Sequence, residues 1–155
     1  MHPNAQLLTG FYQAFNEGDL DAMAAAYSEN PHFRDPAFGD LYGSDVMAMW
    51  RMLCKGSADL RVKASQISAD DTSGRAHWTA VYTFGATGRR VVNEIDANFA
   101  FAAGRITDHV DDFNFWRWSR QALGSAGLVL GWTPILRHKV HRQAIARLHA
   151  FTNEK

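Results

Sequence analysis

The sequence predicts one α+β domain, with helices first, then an antiparallel sheet, then a helical extension. Three observations carry this reading. Apolar residues recur at helical spacing over roughly the first 56 positions. From about residue 60 to 116 the period changes to 2. The links inside that second stretch, Asp71-Thr72-Ser73-Gly74, Gly85 to Gly88 and Ala103-Gly104, are short and carry glycine, which implies hairpins. Helices followed by a run of hairpin strands belong to the α+β class, not to a doubly wound sheet. A chain of 155 residues suits one such domain with a real core. The reading divides it into a body over 1–118 and a basic helical extension over 119–155.

Leu8, Phe11 and Phe15 mark the first helix, which Gly18 stops. Asp19 can cap a second helix whose face is Leu20, Met23, Ala24 and Tyr27. Asn30-Pro31 ends it, because the residue before a proline is pushed out of the α region. His32 to Pro36 reads as a short extended piece. Gly43-Ser44-Asp45 opens a third helix with Val46, Trp50, Leu53 and Cys54 inward, and Gly56 terminates it. Four strands follow over about 60–69, 75–85, 90–101 and 105–116; in the second, Ala76, Trp78, Ala80, Tyr82 and Phe84 share one parity. Beyond Trp118 the chain turns helical again, interrupted by Gly124, Gly127 and Gly131. Thr133-Pro134 supplies a cap and a first-turn proline for a last helix striped by Leu136, Val140, Ala144, Leu148 and Phe151.

Sixteen basic and sixteen acidic side chains cancel, so the whole molecule lacks the basic footprint of a nucleic-acid binder. The charges are segregated: residues 1–115 hold 9 Lys/Arg against 15 Asp/Glu, and residues 116–155 hold 7 against 1. Cys54 is the only cysteine, so no internal disulfide forms. The N-terminus lacks the pattern of a signal peptide, and no apolar run is long enough to span a membrane. A cytoplasmic protein is expected. The basic last helix is expected to dock on its own domain or to form a homodimer.

Asn16-Glu17-Gly18-Asp19-Leu20-Asp21 resembles the end of helix one in ketosteroid isomerases. Phe33-Arg34-Asp35-Pro36 resembles the strand that presents their general base, and Ile95-Asp96 the strand that presents their protonated oxyanion-hole aspartate. In order and spacing, roughly residues 5–116 resemble the SnoaL-like / ketosteroid isomerase-like (nuclear transport factor 2-like) superfamily, polyketide cyclases included. The resemblance implies a cone-shaped α+β barrel, with three N-terminal helices packed on a curved antiparallel sheet around one small, largely apolar molecule. It implies cofactor-independent proton transfer of the isomerase or cyclase type. A non-catalytic ligand-binding or protein-interaction module is the other use of such a fold. The chain departs from the isomerases at helix one, where Phe11 replaces their tyrosine; Tyr12 points about 100° away around the helix.

Asp35 is the candidate base, since a carboxylate walled by Phe33, Phe38 and Trp50 would have a raised pKa; its bland reading is an Asp-Pro turn. Asp96, or the pair His109 and Asp111, would stabilise developing negative charge. Asp96 shares parity with Asn98 against Ile95, Ala97, Phe99 and Phe101, so it faces inward only if a bulge re-aims it. His109 and Asp111 are two apart on an expected strand and share a face with Phe113 and Phe115, unless the run Asp108, Asp111, Asp112 is a solvated edge. Tyr12, Phe33, Trp50, Asn93 and Phe113 are the candidate substrate-binding residues; Asn93 and Asn98 could also hold a water with a carboxylate. His138 and His141 lie three apart on a helix but lack a third ligand nearby, so no metal site is expected. No phosphate-binding or dinucleotide glycine motif calls for a cofactor.

Overall fold

The computed structural model describes residues 1–153. Helix α1 (Pro3–Glu17) buries Leu8, Phe11 and Phe15 and ends at Gly18, whose φ of 72° is a conformation open to glycine without strain. Each such buried side chain contributes on the order of 1.5–3 kcal/mol. The Asp19 carboxylate accepts the Ala22 N–H at 3.1 Å and starts α2 (Leu20–Ala26). This helix is shorter than its sequence pattern. The chain becomes extended at Tyr27, which opens β1 (Tyr27–Asp35) instead of closing a helical face. Its ring is buried and its hydroxyl is bonded to two other elements, a tertiary pull that outweighs local spacing. β2 (Gly39–Tyr42) folds back on β1 in antiparallel register, with Asp35 opposite Gly39; four residues are too few to show a period. In α3 (Ser44–Gly56), Val46 and Trp50 are buried, Cys54 is only half-buried, and Leu53 is exposed rather than inward.

The remaining strands are β3 (Arg61–Ala69), β4 (Ser73–Phe84), β5 (Arg89–Ala102) and β6 (Arg105–Asp112). The sheet runs β2-β1-β6-β5-β4-β3. All neighbours are antiparallel except β1 and β6, which are parallel, with Phe33 opposite His109. That one parallel pair joins the first strand to the last hairpin, and α1 to α3 cover the inner face as an α+β layer. One buried cluster runs from Leu8 and Phe11 through Phe33 and Trp50 to Trp78 and Phe99.

β6 stops at Asp112, earlier than the alternation suggested, because the Asn114 side chain accepts the Arg117 N–H at 2.9 Å and caps α4 (Phe115–Leu123). Phe113 therefore lies in the link and Phe115 in a helix, not on one strand face with His109. Helix α4 crosses the expected 118/119 boundary and packs Phe115 and Trp118 with Val91 of β5 in a second, smaller cluster. Gly127 and Gly131 are contact points rather than simple interruptions. A Cβ on Gly127 would lie 2.0 Å from the Ser119 carbonyl oxygen, so α5 (Ser125–Leu130) rests backbone to backbone on α4. Helix α6 (Pro134–Asn153) turns its stripe inward, with Leu136 and Leu148 buried and Val140, Ala144 and Phe151 half-buried. It thus docks on its own domain. No helix among the described residues is long and apolar enough to cross a membrane.

Candidate active site

A cavity of about 390 Å³ opens between the inner face of the sheet, α3 and α6, a size suited to a small organic molecule. Phe15, Trp50, Trp78 and Ile95 form its deep wall. Exposed Thr83, Gly85 and Arg147 stand at its rim. Asp35, Tyr82, Asn93 and Asp111 are among the polar side chains that reach it, with Ser57 and Gln143.

Asp35 is the last residue of β1. Its Oδ1 accepts the Ala37 N–H at 2.9 Å and the Phe38 N–H at 2.5 Å. The turn reading and the pocket reading are therefore both realised, through different oxygens. Oδ2 has no hydrogen bond among the described residues and is left to the cavity. Burial raises the Asp35 pKa to about 7; the Phe38 and Ala37 N–H groups oppose the rise, and the negative Asp111 adds to it.

Asp111 ends a buried chain of hydrogen bonds whose direction follows from donor chemistry. Trp50 Nε1–H can only donate, and it donates to the Tyr27 hydroxyl oxygen at 2.9 Å. Tyr27 O–H then donates to His109 Nδ1 at 2.7 Å, which places the imidazole proton on Nε2. His109 Nε2–H donates to Asp111 Oδ1 at 2.9 Å, and Trp78 Nε1–H donates to the same oxygen at 3.2 Å. The two N–H groups share one Asp111 oxygen and leave Oδ2 without a hydrogen bond among the described residues. His109 itself is 0% exposed, among the rings of Phe11, Phe33, Trp50 and Phe99, and supports Asp111 from behind without lining the cavity.

The structure thus gathers Asp35, Asp111, Trp50, Asn93 and Phe113 on one cavity. Besides His109, it places four expected residues away from the cavity. Asp96 is on the outer face, its side chain 77% exposed and paired with His77 at 2.9 Å. The strand keeps strict alternation there, with Ile95 and Ala97 buried and Trp78 opposite Ile95, so no bulge re-aims the acid. Asn98 is outward for the same reason. Tyr12 is buried against Trp78 and Phe99, away from the cavity, with its hydroxyl unpartnered. Phe33 is core, edge-on to Trp50 and His109. His141 meets no metal ligand: its Nδ1–H donates to the Ala37 carbonyl at 2.9 Å, pinning α6 to the Asp35 turn. Among the described residues no group of three metal-ligating side chains occurs.

Tyr82 and Trp78 on the cavity wall, and Tyr27 behind it, were not among the sequence candidates. The inward parity of β4 already marked Trp78 and Tyr82; Tyr27 was concealed by its helical spacing.

The profile of the SnoaL-like domain family matches residues 8–109, well over half of the chain. The chain belongs to the SnoaL-like domain family. This SnoaL-like protein is similar in structure to a putative polyketide cyclase from Xanthomonas campestris pv. campestris, with 25% identity and a TM-score of 0.64 over 77% of this chain and 96% of that one. It is also similar to a nuclear transport factor 2-like protein of unknown function from Burkholderia pseudomallei (22%, TM-score 0.68, 79% and 98% covered). A third likeness is to an epoxide hydrolase of M. tuberculosis (21%, TM-score 0.64, 83% and 96% covered). Such likenesses bear on the fold. No curated protein matches the sequence significantly.

Proposed function

We infer that this SnoaL-like protein is a proton-transfer enzyme of the isomerase or cyclase type, acting on a small, largely apolar, enolisable compound. The observation that carries the reading is Asp35, a carboxyl group with a pKa of about 7 and one free oxygen on an aromatic-walled cavity. A base poised near the working pH removes a proton from carbon and returns it with the least mismatch. Burial is the main cause of the raised Asp35 pKa, to which the nearby Asp111 adds, and Asp111, held by Trp78 and His109, is itself a second acceptor on the same cavity. An Asp35 carboxyl in bulk solvent would have favoured a pure binding module instead. The reading includes a homodimer, since apolar side chains at the junction of α5 and α6 remain exposed in the single chain.

The test is hydrogen-deuterium exchange at the carbons flanking the carbonyl of 2-tetralone, followed by NMR in heavy water. The wild type is expected to accelerate exchange, with a rate rising through about pH 7 as Asp35 ionises. Asp35→Asn should lower the enzymatic rate at least ~100-fold. Full exchange by this variant removes Asp35 from the chemistry.

A further inference from the structure

An enolate needs a hydrogen-bond donor at its oxygen, and the aspartate expected from the sequence to supply it is missing from the cavity. Phe11 has no hydroxyl, and Asp96 is on the outer face. Asp111 Oδ1 is already an acceptor for two N–H groups. Tyr12 has an unpartnered hydroxyl, but in the core, not on the cavity.

Tyr82 meets the requirement. It is half-buried on the cavity wall, on the inward parity of β4. Its hydroxyl oxygen accepts the Trp118 Nε1–H at 2.8 Å. An indole N–H only donates, so the Tyr82 hydrogen must point elsewhere, and no acceptor among the described residues takes it. Asn93 adjoins it: Ala80 is opposite Asn93 and Tyr82 opposite Val91, which makes Tyr82 and Asn93 diagonal neighbours on the inner face. The Asn93 side chain is 8% exposed and likewise has no hydrogen bond within the described protein. The small Ala80 between Trp78 and Tyr82 leaves room for a ligand in front of both.

We propose that Tyr82 is a catalytic residue whose hydroxyl, oriented by Trp118, donates to the carbonyl oxygen of an enolisable ketone bound beside Asp35. This rests on the proton-transfer reading above. Asp35 takes the proton from the carbon next to the carbonyl. The C–H electron pair forms the new C=C bond, and the C=O π pair moves to oxygen, where Tyr82 and the Asn93 amide donate to it. Asp35 then returns the proton to carbon, so nothing else is consumed. The hydroxyl donates without ionising, because burial raises its pKa and the neighbouring Asp35 charge raises it further, against the Trp118 bond. Trp118 belongs to α4, so that helix acts on the chemistry as a positioning element.

The test compares binding of 2-tetralone with that of tetralin, which has the same frame without the oxygen, by titration calorimetry. The wild type should prefer the ketone about tenfold, the value of one or so net hydrogen bonds. Tyr82→Phe should erase the preference and leave tetralin affinity unchanged. Trp118→Phe should reduce the preference by a few-fold, again with tetralin affinity intact; a merely structural role would weaken both ligands together. A Tyr82→Phe protein that folds and keeps the preference overturns the proposal, as does a wild type with none. Asp35→Asn separates the two claims: it should keep the ketone preference while losing exchange. If Asp35→Asn exchanges normally but Tyr82→Phe loses the preference, the assignment of the base fails and the oxygen site stands.

Discussion

At the residue scale, Asp35 holds two jobs on two oxygens, and stability bears the cost of the second. One oxygen closes the 35–38 turn while the other is kept from bulk water. Because the folded pKa of about 7 lies above the ordinary value of 3.8, the native state binds a proton that the unfolded chain has released between those pH values. Stability contributed by this group is therefore full below about pH 4 and is lost as pH rises through about 7. Asp35→Asn keeps the turn acceptor and never ionises. Its melting temperature should match the wild type near pH 4 and exceed it above pH 7, by an amount corresponding to roughly 2 kcal/mol after allowance for the opening to the cavity. Equal shifts at both pH values would show that the carboxyl group is not desolvated. The sequence made Asp35 legible because a motif and aromatic neighbours coincided there. Asp96 had the motif alone, and strand parity, the stronger constraint, turned it outward. Tyr82 had parity without a motif, and its significance depends on Trp118, thirty-six positions away and on another element.

At the scale of elements, the site depends on how α6 meets the turn between β1 and β2. Gly39 has φ of 67°, and a Cβ there would lie 2.9 Å from His141 Cε1. Gly39→Ala would strain the backbone and push His141 off the Ala37 carbonyl, at an expected cost of about 1–2 kcal/mol. It should also loosen the wall that α6 builds over Asp35, so the inflection in the exchange rate should move below pH 7 as water reaches the carboxyl group. An unchanged inflection would mean that α6 does not keep Asp35 dry. The four long hairpin strands and the stripe of α6 were readable from period alone. The parallel pairing of β1 with β6 and the early end of α2 were not, because each is decided by partners distant in sequence; the cap at Asn114 is local, to Arg117, and was masked by apolar alternation that runs on through Phe113 and Phe115. Glycine is the clearest ambiguity: Gly18 terminates a helix as its spacing suggests, whereas Gly127 is required by the closeness of α4.

At the scale of the molecule, the division of charge gains meaning beside the division of burial. The body carries a net −6 and the tail +6, by 9 − 15 over residues 1–115 and 7 − 1 over 116–155. Helix α6 satisfies its own apolar stripe, yet α5, the link after it and the first turn of α6 leave Leu128, Val129, Trp132 and Ile135 exposed, Trp132 by 74% and Ile135 by 81%. Large apolar side chains grouped in this way on a surface mark a contact. We propose a second copy as the partner, since it would bring an acidic body to a basic tail without any other component. The homodimer should therefore be weakened by salt, which screens the charge attraction, and abolished by Trp132→Ser with Ile135→Ser, while the melting temperature of the monomer changes little because these side chains are mostly outside its core. Sedimentation equilibrium of the wild type and the double variant at low and high salt measures this. A wild type that remains monomeric at about 100 μM, where an interface of standard size is occupied, would exclude the dimer and assign the patch to a different partner.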